Sequence, residues 1–313
     1  MDPNGVFYDS NWKCFAIFES PLAQAMVAIE CIEIFSLLLI AVVWPLSQRK
    51  IKPSLRVVRW YNFGLALVFW IIYAVFRFIV FFILNCPFIE DQSKAFRLNI
   101  AESVLYWTAA ALLMAVVLIP ICRGLDRLRD SPPSWWERGA KLMMATFTIC
   151  IIVVLAIMIS EVESAISDDG YFEVPRFTYV PKALSTTWFA FILVGIDRVF
   201  SSLRSTSSIV RVPRALIAWT TVLAFSLFAY GFIMTFFAFW DAPSVNFMFY
   251  SPRYLAENVP MLLLPVFFYL LALFSVVQVA RELSGLLANL GMYEAEIKPE
   301  HTSEANEEQF HGR

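Results

Sequence analysis

Seven apolar runs of roughly twenty residues each follow one another along this chain of 313 residues. A helix of that length matches the hydrocarbon core of a bilayer. Lipid offers no partner to backbone N–H and C=O groups, so such runs must close their hydrogen bonds internally, as helices or as barrel strands. Segments of strand length with alternating polarity are absent, which leaves helices. The chain is therefore expected to be all-α, a polytopic membrane bundle of seven transmembrane helices. Composition agrees: 59% of residues are hydrophobic and only 16% are charged, against about a quarter in soluble domains.

Punctuation sets the spans. Pro favours the first helical position, and Ser or Asn favours the cap. Ser20-Pro21, Pro53-Ser54, Pro181, Pro213 and Ser251-Pro252 open helices one, two, five, six and seven. Asn99 with Glu102, and Ser134 with Glu137, have capping-box spacing at helices three and four. The expected spans are 22–46, 57–84, 99–121, 138–160, 182–202, 214–239 and 254–280. Pro260 and Pro265 are expected to kink the seventh. Residues 1–20 form an outer segment, 21–284 the transmembrane domain, and 285–313 an acidic, disordered cytosolic tail. The connection from Glu161 to Val180 is the longest, and its Asp169-Gly170 turn signal suggests a small hairpin lid.

Orientation follows the basic residues. The segments after helices one, three and five, with the tail, hold 17 Lys and Arg; the N-terminal segment and the other loops hold 6. The N-terminus is expected outside or lumenal and the C-terminus cytosolic, in the endoplasmic reticulum or plasma membrane. Cys14 and Cys86 then share the oxidising side and form a candidate disulfide. Both histidines, His301 and His311, lie in the tail, and no CxxC occurs. That pattern excludes His-based triads and His-ligated metal hydrolases; no metal or other cofactor is expected, nor any nucleic-acid partner.

Several polar residues fall at membrane depth, where a charge costs about 2.5–3.5 kcal/mol even on lenient scales and normally faces the bundle interior. Glu30 and Glu33 are three apart and share one helix face. Counted from Pro21 they lie roughly 13 and 18 Å deep, and Arg77 lies roughly 10 Å below the outer end of helix two. Glu30 and Arg77 thus match in depth. Glu102, Glu257 and Asn258 lie shallower. Four carboxylates cannot all be ionised against one guanidinium, so at least one, with Glu33 first, is expected to be a neutral acid able to donate a proton. Tyr73, Tyr106, Trp107, Trp188, Tyr230, Trp240 and Tyr269 supply aromatic faces for the same half, and such faces stabilise cations. The candidate catalytic residues are Glu33, Glu30, Glu102 and Glu257. The candidate substrate-binding residues are Arg77, Tyr73, Tyr106, Trp107 and Asn258, for a small hydrophobic molecule reached from the lipid bilayer.

Helix count, size, buried Glu and aromatic content together resemble the fungal seven-helix terpene cyclases of meroterpenoid secondary metabolism. That resemblance implies metal-free general-acid catalysis by a cyclase or isomerase, with Glu33 as the acid. Two alternatives stand beside it. The seven-helix plan and Asp126-Arg127-Leu128 resemble G-protein-coupled receptors, with Leu in place of the family's Tyr and a second Asp-Arg at Asp197-Arg198. "ENVPMLL" at 257–263 resembles fungal seven-helix lipid or metabolite exporters, although scarce Gly argues against broken-helix transport.

Overall fold

The computed structural model describes residues 21–47, 49, 57–58, 60–85, 92–128, 135–167, 179–239 and 252–297. Among these the chain is helical with no strand. Helix α1 is Pro21–Ser47, α2 Trp60–Asn85 and α3 Gln92–Val116. A π turn, Val117–Ile121, continues α3 into Cys122–Arg127. Then follow α4 Trp135–Ser167, α5 Tyr179–Ser207, α6 Arg214–Phe239 and α7 Pro252–Ile297. Each contains a span long and apolar enough to cross a membrane. This is the seven-helix bundle that the apolar runs require.

Every helix packs against its neighbours in sequence, and α7 returns to pack against α1, closing a ring. The third span, Ile100–Arg127, is the most buried of the seven, and the π turn and its continuation also touch α5 and α7 across the ring. Helices alternate in direction. The segment before α2 meets the far part of α7, where the Val57 N–H donates to Ser284 Oγ at 3.1 Å. The end of α3 meets the end of α5 (Asp126 to Arg198). The end at which odd-numbered helices begin is called upper below, and the opposite end lower.

The outward surface is apolar, as lipid demands. Phe35 and Leu142 are 70% exposed, and Ile32, Phe225, Phe232 and Phe267 are each more than half exposed. The interior holds the larger aromatic and polar groups: Trp188, Tyr269, Phe63, Phe147 and Glu33 are almost wholly enclosed. Two buried serine hydroxyls turn back on their own helix. Ser226 donates to the Val222 carbonyl and Ser275 to Leu271, a common way to satisfy a hydroxyl in an apolar setting.

Glycine is used where helices approach closely. A Cβ at Gly124 would lie 2.6 Å from Val57 Cγ1 and 2.8 Å from Leu283 Cδ2. One at Gly195 would lie 2.9 Å from Leu118 Cδ2, against the π turn. Pro120 sits inside that π turn. It has no N–H to give and its ring crowds the carbonyl four residues back, so the wider i→i+5 turn accommodates it.

Several expected boundaries move. Helix α3 begins at Gln92, so Asn99 lies two turns inside it and does not cap it. Helix α2 begins at Trp60 rather than 57, after a bend at Val57-Val58. Helix α4 runs to Ser167 and α5 starts at Tyr179, so Glu161–Ser167 are helical and not part of a lid; the Asp169-Gly170 turn lies outside the described residues. Helix α7 passes Pro260 and Pro265 without a break in helix and continues to Ile297, well beyond 280 and into the segment expected to be disordered. Cys14, Cys86 and Trp240 lie outside the described residues.

Candidate functional site in the upper half of the bundle

Helix periodicity brings the polar residues of α1 and α2 together. Glu30 and Glu33 are one turn apart on α1 and face α2. Trp70, Tyr73 and Arg77 follow at i, i+3 and i+7 on α2, one stripe of that helix. Arg77 spans both acids: its Nε lies 2.7 Å from Glu30 Oε1, and its Nη2 lies 2.5 Å from Glu33 Oε2. Its Nη1 donates to the Tyr73 hydroxyl at 3.1 Å, with the guanidinium 5.2 Å from the Tyr73 ring centre. Arginine suits this three-way role because its donors fan out in a fixed plane.

The two carboxylates differ in what is left over. Glu33 is 1% exposed, and both its oxygens accept: Oε1 from Trp70 Nε1 at 3.2 Å and Oε2 from Arg77. Glu30 is 8% exposed, and its Oε2 is buried without a hydrogen-bond partner. Glu102 on α3 is half-buried and close enough to interact electrostatically with both Arg77 and Glu30. Two carboxylates thus share one guanidinium, with a third, Glu102, nearby but not in contact with it.

An aromatic cluster abuts this group and crosses the ring. Trp70 stacks on Tyr269 of α7, centres 3.6 Å apart and planes at 16°. Tyr73 and Trp70 both meet Tyr106 of α3, at 5.4 and 5.8 Å. The Tyr106 and Tyr230 hydroxyls are 2.7 Å apart, joining α3 to α6, and Tyr230 packs on Tyr269 at 5.3 Å. Trp107 starts a second branch through Trp188 at 6.4 Å and Phe147 at 6.2 Å. The Tyr269 hydroxyl and the Trp188 indole N–H are buried without partners. Buried polar atoms in folded proteins nearly always have a partner from protein, water or ligand; Trp44 Nε1 and Thr220 Oγ1 share this lack among the described residues.

The structure brings together Glu30, Glu33, Arg77, Tyr73, Tyr106 and Trp107, with Glu102 beside them. Glu257 and Asn258 fall in the first two turns of α7, and their side chains lie outside the described residues. Depth counting matched Arg77 to Glu30 alone, whereas the guanidinium also holds Glu33. Trp70 was missed; its place three residues before Tyr73 and seven before Arg77 was the available signal. Among the described residues no group of three His, Cys, Asp or Glu has a metal-binding arrangement.

A second polar group lies at the lower end. Arg198 of α5 reaches Asp126 of α3 with Nη2 at 3.0 and 3.2 Å from the two carboxylate oxygens, and Ser202 Oγ donates to Asp126 at 3.3 Å. Thr206 donates to the Leu125 carbonyl at 3.3 Å. Gly195, Arg198, Ser202 and Thr206 follow the helical repeat, so one stripe of α5 meets α3. Arg127 and Asp197, the other members of the two Asp-Arg pairs, are exposed.

No known protein family, curated protein or solved structure matches this chain.

Proposed function

We propose that this integral membrane protein is an enzyme that isomerises or cyclises a small hydrophobic, isoprenoid-like molecule by general-acid catalysis inside the bilayer. One observation carries the proposal: two carboxylates, Glu30 and Glu33, share a single arginine beside a buried cluster of tyrosine and tryptophan rings, with Glu102 nearby, and Glu30 keeps an oxygen without a partner among the described residues. Glu33 has both oxygens engaged and serves as the anchor that fixes Arg77. Glu30 is the donor. Its protonated carboxyl transfers H+ to an olefin or epoxide, the cation is held over the Trp70, Tyr73, Tyr106 and Tyr269 rings, and a carboxylate, Glu102 by position, removes a proton at the end. One proton enters and one leaves, so the product is an isomer of the substrate. General-acid participation of this kind contributes about 10²–10⁴-fold to rate.

The test is comparative mass spectrometry of cells and medium in the source organism, with the gene intact, deleted, and replaced by Glu30→Gln. Loss of one compound with accumulation of an isomer of equal mass, in both the deletion and Glu30→Gln, supports the enzyme. A compound made but retained in the cells identifies an exporter. Metabolites identical in all three strains overturn the enzyme in favour of a seven-helix receptor. The receptor has support of its own: the helices close in sequential order, and Asp126–Arg198 clamps α3 to α5 at the lower end.

A further inference from the structure

A cleft of about 600 Å³ opens at the lower end between α1, the start of α6 and α7, lined by Val43, Leu46, Ser47, Pro213, Arg281, Glu282, Gly285, Leu286 and Asn289. It is remote in sequence and in the fold from the Glu30–Arg77 group. Helical spacing gives it two unlike walls. On α7, Arg281, Gly285 and Asn289 recur every four residues and form a polar stripe with a gap at the glycine. On α1, Val43, Leu46 and Ser47 form the facing wall, and Leu46 is 57% exposed. A Cβ on Gly285 would meet nothing within 4 Å, so the gap opens on free space.

The charge around the cleft is one-sided. Arg281 is exposed on its wall, and exposed Arg49, Arg211 and Arg214 follow or flank the lining residues Ser47 and Pro213 in the chain. Glu282 is the one acid among the lining residues. Among the described residues Arg281 and Glu282 have no ion-pair partner. The lower end is also the one that the distribution of Lys and Arg directs to the cytosol. An apolar wall beside a basic stripe, at the depth where helices leave the bilayer, has the chemistry of a phospholipid: acyl chain along Val43, Leu46 and Leu286, phosphate toward Arg281.

We infer that this cleft between α1 and α7 is a binding site for an anionic glycerophospholipid, its phosphate held by Arg281 and its chain lying on Val43 and Leu46.

The full-length protein in nanodiscs of phosphatidylcholine, with and without one-fifth phosphatidylglycerol, provides the test, read as lipid retained in native mass spectrometry and as thermal midpoint. Wild type is expected to retain phosphatidylglycerol and to melt higher in its presence. Arg281→Gln is expected to bind it about fivefold more weakly, the effect of one basic charge near a membrane surface. Gly285→Phe fills the gap, leaves Arg281 in place, and is expected to abolish retention. Two variants that alter the site differently guard against a simple folding defect; Arg281→Lys, which keeps the charge, is expected to recover most of the retention. Equal retention by wild type, Arg281→Gln and Gly285→Phe overturns the inference. So does an equal shift of wild type by inorganic phosphate without the lipid. Retention that appears only after residues 298–313 are removed identifies the chain's own acidic C-terminal segment as the occupant and overturns the lipid.

Discussion

Asp126 and Arg198 belong to two similar segments, Gly124-Leu125-Asp126-Arg127 and Gly195-Ile196-Asp197-Arg198, and they pair crosswise, the acid of one with the base of the other. Both side chains are largely enclosed, at 13% and 20% exposure. Each segment also contributes its glycine to a close helix approach, at different faces. The resemblance of the segments is therefore not a repeated structure; the same residue types meet different neighbours. A double-mutant cycle on Asp126→Asn and Arg198→Gln is expected to give a coupling energy of about 0.5–3 kcal/mol, read from thermal unfolding in detergent. Coupling near zero would show that the pair is incidental to stability.

Arg77 is the single base between Glu30 and Glu33. Replacing it with Leu leaves Glu33, and Glu30 whenever it is ionised, enclosed without a counter-charge, and removing one partner of a buried pair costs about 3–5 kcal/mol. Arg77→Leu is expected to lower the unfolding midpoint steeply. Adding Glu30→Gln and Glu33→Gln removes the stranded charges and is expected to recover much of the loss. A triple variant no more stable than Arg77→Leu would argue against ionic pairing as the role of Arg77.

The tyrosine hydroxyls separate structure from chemistry. Tyr230→Phe leaves the Tyr106 hydroxyl without its partner and is expected to cost about 1 kcal/mol. Tyr269→Phe removes a hydroxyl that has no partner among the described residues and is expected to be neutral or slightly stabilising. If Tyr269 receives a polar group of the substrate, the same change lowers turnover in the source organism while the protein stays folded. Equal destabilisation by the two changes would contradict the hydrogen-bond pattern.

Two helical glycines give an opposed pair. At Gly124 a methyl group meets Val57 and Leu283 below 3.0 Å, so Gly124→Ala is expected to destabilise by about 1–3 kcal/mol, the usual cost of overpacking. At Gly285 a methyl meets open space, so Gly285→Ala is expected to stabilise by about 0.4–1 kcal/mol through helix propensity. Paired unfolding midpoints check both signs, and the reverse order would mean that α3 and α7 do not pack as described.

The spans were legible because lipid enforces a single rule, internal hydrogen bonding over a fixed length. Their ends were less legible where a helix leaves the bilayer. Residues 92–97, 161–167 and 291–297 are helical yet lie beyond the apolar runs, and no such run announces them. Depth along a helix was readable from the rise per residue, which brought Glu30 and Arg77 to one level. Azimuth and side-chain reach were not, so the hold of Arg77 on Glu33 and the stacking of Trp70 on Tyr269 appear only once α7 closes against α1 and α2. The crosswise Asp126–Arg198 pair needed α3 and α5 side by side, which no local pattern dictates.

The π turn at Pro120 lies on α3 between Glu102 and Tyr106 above and Asp126 below. A π turn carries one residue more than the α-helix it interrupts, and one residue is about 100° of rotation. The two polar groups of the protein are thus phased by a single joint on the helix they share. Were that joint to tighten into α-helix, Asp126 would swing by about a quarter turn relative to Tyr106, and one end would have to surrender its partners. The extra residue acts as a gear tooth: it sets the angle at which both ends can be engaged at once.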